Sequence, residues 1–115
     1  MITIEKLAAF GADTETGLKR CMNNEAFYLR LVNMELGDAN FTKLRDAIDA
    51  RDAHGVFEAA HALKGALGNL SLTPLFEAAS SLTELTRNAD TPPDVSSISH
   101  SLFAKYEELK QLARI

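Results

Sequence analysis

A chain of 115 residues, 46% apolar and 24% charged with three prolines, can build one globular domain but is too short to expect two. Its formal charge of −4, from 12 Lys plus Arg against 16 Asp plus Glu, leaves no basic footprint for nucleic acid. No apolar run is long enough for membrane insertion, MITIEKLAAFG lacks the cationic start of a signal peptide, and Cys21 has no second thiol to pair with, so a cytoplasmic setting is expected.

In chain order, residues 3–10 suggest a short opening helix, and GADTETGLKR a break followed by a further helical turn capped by Asp13. Cys21 reads as a small buried apolar group. From Asn24 to Leu36, Phe27, Leu31, Val32 and Met34 give one broad apolar side. After GDAN, the run FTKLRDAIDA joins Phe41, Leu44 and Ile48 at helical spacing. Asp52 is placed to cap a helix from Ala53 to Leu70, and Thr73 before Pro74 to start the next, through LFEAASSLTELTR.

Pro92 and Pro93 interrupt that pattern. Asp94 then caps a last helix near 95–112, where Ile98, Leu102, Leu109 and Leu112 form a stripe to which Phe103 and Tyr106 add. No segment alternates as a strand would. The expected fold is all-α: an antiparallel four-helix bundle with one or two short additional N-terminal helices, a single domain over residues 1–115.

The informative stretch is HALKGALGNL, beginning at His61. At about 100° per residue, Val56, Ala59, Leu63, Leu67 and Leu70 fall opposite His61 and make a continuous apolar side. His54, Phe57, Glu58, Lys64, Gly65 and Gly68 fall within roughly 60° of it. His61 is therefore expected at a surface or in a shallow groove. Gly65 and Gly68 each lower helix propensity by about 1 kcal/mol relative to alanine. Either they admit another surface beside the imidazole or they permit tight helix packing.

Neutral imidazole has a free lone pair near physiological pH, so His61 can act as a nucleophile toward a phosphoryl group, and Lys64 can offset the charge gained. A metal site from His54, Glu58 and His61 is the weaker reading, because one helix supplies all three and Lys64 opposes a divalent ion. GxxxxGK[ST] and GxGxxG are absent, and Ser71, Ser80 and Ser81 make no nucleophile arrangement with the histidines. His100 reads as structural or solvent-facing.

AHALKGALGNLSL closely resembles the defining segment of histidine-containing phosphotransfer (HPt) domains, through His61, Lys64, Gly65, the apolar Leu63, Leu67 and Leu70, and Ser71 with Leu72. GLKRCMNNEAFYLRLV resembles the preceding helix pair and LTPLFEAASSLTEL the following helix. The resemblance implies a phosphorelay carrier in which His61 exchanges a phosphoryl group with an aspartate of response-regulator receiver domains, including those of a hybrid histidine kinase. Lys64 would neutralise the phosphate and Gly65 would leave room for it. This chain would bind no cofactor, with Mg2+ held by the receiver, and would have no ATP-dependent kinase activity of its own. Where HPt domains often carry a glutamine that orients the imidazole, ungapped counting reaches Thr83, one turn before Arg87. Phe57, Gly68, Phe76, Thr83 and Arg87 are candidate supporting or docking residues, with Phe27 or Tyr28 contributing from an earlier helix. The alternative is a catalytically silent adaptor that binds receivers through the same face.

Overall fold

The computed structural model describes residues 1–115 and contains seven helices and no strand. They are α1 (Ile4–Phe10), α2 (Thr14–Arg20), α3 (Glu25–Glu35), α4 (Ala39–Asp49), α5 (Ala53–Asn69), α6 (Thr73–Thr86) and α7 (Ser96–Arg114). Short polar side chains start the first five. Thr3, Asp13, Asn24, Asp38 and Asp52 each accept a hydrogen bond from a backbone N–H of the first turn, satisfying a donor that the helix leaves without a partner.

Two expected caps differ. Thr73 lies inside α6 and its hydroxyl donates to the Ser71 carbonyl at 3.4 Å, so α6 begins without a side-chain cap, on Pro74 in its first turn. Asp94 accepts from both the backbone N–H and the hydroxyl of Ser96, two residues on, so its carboxylate serves the start of α7 from just outside it.

α4 to α7 form the four-helix bundle, with α5 packed against α4 on one side and α6 on the other, and α6 against α7. Short connections reverse the chain between successive members. α1 leans on α7 and α2, and α2 on α3, adding the N-terminal helices. Leu44, Leu63, Leu67, Leu75, Leu82, Leu102 and Leu109 are fully buried, each contributing about 1.5–3 kcal/mol relative to an exposed position. Cys21 is buried with them and His100 is exposed.

α3 turns differently from its expected stripe. Tyr28 and Val32 are its buried residues, Phe27 and Leu31 are half-buried, and Met34 is 66% exposed. A turn of the helix by one position brings Tyr28 inward. Its hydroxyl donates to the carbonyl of Leu70 at 2.7 Å and clamps the chain where α5 ends. Burial pushes the Tyr28 phenol up to about 12, with Cys21 and Asp13 adding smaller shifts in the same direction. Gly17 of α2 makes the clamp possible: a Cβ there would lie 2.5 Å from the Tyr28 ring and hydroxyl. Gly11 closes α1 in the left-handed conformation, φ 109°, that glycine adopts without penalty.

At the end of α3, Glu35 is half-buried, with one carboxylate oxygen that has no partner. Burial, then the neighbouring Asp38, pushes its carboxyl up to about 8, so it is neutral at pH 7. Tyr106, whose hydroxyl donates to the Leu36 carbonyl, is the other titratable group of this neighbourhood. An unfolded chain releases the Glu35 proton near its ordinary value of 4.5. The stability gained by holding the proton is therefore complete below that pH and is lost as pH rises through about 8. Glu35→Gln should remove this slope and raise stability at pH 8–9 by on the order of 1 kcal/mol, discounted for partial solvent screening. Urea titrations of both proteins at pH 6 and 9 would check it, and equal slopes would reject it.

Candidate functional site

The helix carrying the site is divided as its sequence requires. Val56, Ala59, Ala60, Leu63 and Leu67 are buried, while His61 and Gly65 are exposed and Lys64 is half-buried. Because α5 is flanked by α4 and α6, its outward strip lies between helices that are also anchored in the core. The imidazole is consequently presented from a rigid element.

Around it lies an open depression of about 750 Å³, lined by His61, Lys64, Gly65 and Gly68 of α5, Phe76 of α6 and Arg20 of α2. Lys64 takes part in none of the chain's ion pairs, which leaves its ammonium available to an incoming anion. Arg20, which the sequence offers no means of placing here, reaches across from α2 and donates from Nη1 to the Gly68 carbonyl at 2.9 Å. It brings a second cation to the rim.

The two glycines separate cleanly. A Cβ on Gly65 would meet nothing within 4 Å, whereas one on Gly68 would lie 3.0–3.1 Å from the Phe76 ring. Gly68 is thus the close-packing position between α5 and α6, and Gly65 is open ground. Both readings of a glycine that the sequence allows are present, one at each position.

On the other side of His61 stands Phe57. Its ring lies nearly parallel to the imidazole, with centroids 5.6 Å apart and 12° between planes. The guanidinium of Arg87 lies 5.2 Å from the Phe57 centroid and donates to Glu84 from Nε and Nη2, at 3.3 and 3.0 Å. The Arg87 guanidinium holds the Glu84 carboxyl below the usual carboxylate range, and Lys64 and His61 add to this across the helix interface. Glu84 is a second neighbour of the site that sequence reasoning passed over; its i,i+3 spacing to Arg87 was the available signal.

Two expected members face elsewhere. Thr83 is wholly buried and its hydroxyl donates to the Ala79 carbonyl at 2.7 Å, so it offers nothing to the imidazole. A short β-branched side chain inside a helix satisfies itself on the preceding turn, where a longer amide would have extended past it. Tyr28 is likewise buried and unavailable for docking, while Phe27 is half-buried with Arg30 against its ring. His54 pairs with Glu58 at 2.8 Å, and no three His, Cys, Asp or Glu side chains converge as metal ligands, which overturns the His54–Glu58–His61 site. No helix is long and apolar enough to cross a membrane.

No curated protein and no solved structure matches the chain significantly. A family model described as the Hpt domain matches residues 34–114, which spans α4 to α7 with the connections between them and includes the whole His61 helix. Hpt domains serve as phosphocarriers in phosphorelays and have receiver domains as partners. The four-helix bundle and the matched segment agree, and the chain belongs to the Hpt domain family.

Proposed function

We propose that this chain is a histidine phosphocarrier of a multistep two-component phosphorelay, with residues 1–115 acting as one domain and His61 as the phosphoacceptor. The observation that carries this reading is the exposed His61 between Phe57 and the open face of Gly65, on a helix whose other side is buried. The nitrogen lone pair attacks phosphorus of an aspartyl phosphate on a receiver domain. The P–O bond to the aspartyl oxygen breaks, and its electron pair leaves with the carboxylate. The phosphoimidazolium first formed releases its remaining ring proton to solvent. Donation to the next receiver is the reverse.

Lys64 faces the depression without a competing carboxylate partner and is suited to offset the charge on the transferring oxygens. Mg2+ belongs to the receiver in this scheme. The chain itself supplies no nucleotide site, and its role is that of a carrier without kinase activity. Arg20, Phe57 and Phe76 border the nucleophile and suit brief recognition of a receiver, including one within a hybrid histidine kinase. Incubation with a panel of phosphorylated receivers, followed by mapping of acid-labile phosphate, should place the label on His61. Receiver binding without any label would instead select the silent adaptor.

Gly65 makes a sharp test of access. With open space around its Cβ position, Gly65→Ala should stabilise the protein by up to about 1 kcal/mol through helix propensity. The same methyl group intrudes on the approach of a phosphate, so transfer should slow, and Gly65→Phe should block it. Denaturation and transfer rates measured on the same samples would check both signs. Unchanged transfer in Gly65→Phe would remove this glycine from the site.

A further inference from the structure

We infer that Phe57 is the positioning residue for the His61 imidazole, braced from α6 by Arg87 and Glu84, and that this aromatic brace does the orienting work that Thr83 cannot. The inference rests on the phosphocarrier reading for its purpose, and on the geometry of three side chains for its substance.

An imidazole at an exposed helical position rotates about two side-chain bonds, and its two nitrogens are chemically distinct nucleophiles. In-line transfer needs one of them held toward the phosphorus, and holding a reacting group in place contributes directly to rate. The side-chain hydrogen bonds around the site run from Arg20 to Gly68, from Thr83 to Ala79 and from Arg87 to Glu84, none of them to His61. The parallel contact with Phe57 is therefore what restrains the ring plane.

Phe57 is itself half-buried and lies one turn before His61 on α5, so the contact forms within one helix. What holds Phe57 comes from the neighbouring helix. Arg87, at the end of α6, lies over its ring, and the two hydrogen bonds to Glu84 fix the guanidinium plane. The brace thus crosses the α5–α6 interface and ends on the imidazole. It leaves the Gly65 side open, so orientation and access are provided from different directions.

The test compares the original protein with Phe57→Leu, Phe57→Tyr and Arg87→Ala. Phosphoramidate, a small donor needing no partner, labels exposed histidine, and NMR reports which ring nitrogen carries the phosphorus. The original protein and Phe57→Tyr should give one predominant isomer, Phe57→Leu a mixture of both, and Arg87→Ala an intermediate ratio. Transfer from a phosphorylated receiver should fall about tenfold in Phe57→Leu and recover in Phe57→Tyr. In the unphosphorylated protein, NOEs from Phe57 to the His61 ring protons should report one orientation that is lost in Arg87→Ala. A single unchanged isomer and unchanged transfer in Phe57→Leu would overturn the inference. If no receiver phosphorylates even the original protein, the carrier reading fails, while the isomer ratio and the NOEs still decide whether the brace orients the ring.

Discussion

His61→Ala should accept no phosphoryl group from any receiver and still unfold within about 0.5 kcal/mol of the original protein, the range of surface substitutions. The two halves of that expectation come from different properties of the residue. Acceptance needs a nitrogen lone pair at this place, and alanine has none. Stability barely changes because the ring is exposed and has Phe57 as its stacking neighbour. Losing an aromatic contact of about 0.5–1.5 kcal/mol is offset by the several tenths of a kcal/mol that alanine gains in helix propensity.

Phosphate mapping and a urea titration of the same preparation read both halves. Label persisting in His61→Ala would move the nucleophile elsewhere, with exposed His54 and His100 as the remaining histidines. A large loss of stability would mean that the ring supports the core. His61→Gln, polar and of similar length, separates the loss of the nucleophile from the loss of bulk.

The second large effect lies far from any chemistry. Gly17→Ala should destabilise the protein by about 2–3 kcal/mol, at the upper end of ordinary overpacking. The added carbon would lie 2.5 Å from the Cζ and hydroxyl oxygen of Tyr28, a fully buried ring with little freedom to retreat. Any displacement of Tyr28 also breaks its bond to the Leu70 carbonyl and leaves that acceptor without its partner. Because Leu70 follows directly on α5, the disturbance reaches the turn that leads into α6 and Phe76.

Tyr28→Phe alone should cost about 1–3 kcal/mol through the lost hydrogen bond. In the double variant the hydroxyl is already gone, so the two changes should sum to less than their separate effects. Additive values in denaturant titrations would show that Gly17 and Tyr28 are not in conflict.

The sequence discloses most readily what depends on neighbours along the chain. The side of α5 that would be buried follows from the spacing of Val56, Ala59, Leu63 and Leu67, and with it the exposure of His61. Asp13, Asn24 and Asp52 are caps because a short polar side chain before an apolar run has one effective use. Thr73 was less legible because the Ser71 carbonyl competes for its hydroxyl. Thr83 was misleading for a related reason: ungapped counting gives its position in the helix, while the Ala79 carbonyl decides where its hydroxyl points.

Arg20 lies 48 residues from the carbonyl it holds, and nothing local announces that meeting. The face of α3 was misjudged because Phe27, Leu31 and Met34 satisfy helical spacing as well as Tyr28 and Val32 do. What selects the latter pair is Gly17 on another helix, whose missing side chain makes room for the phenol.

Gly65 has a practical implication for anyone improving this protein. A screen that rewards heat resistance alone would accept alanine there early, since the substitution meets no steric objection. The selected variant would express well, melt later and look sound by every structural criterion, yet the relay would have lost throughput. At this residue, robustness is the wrong proxy for fitness.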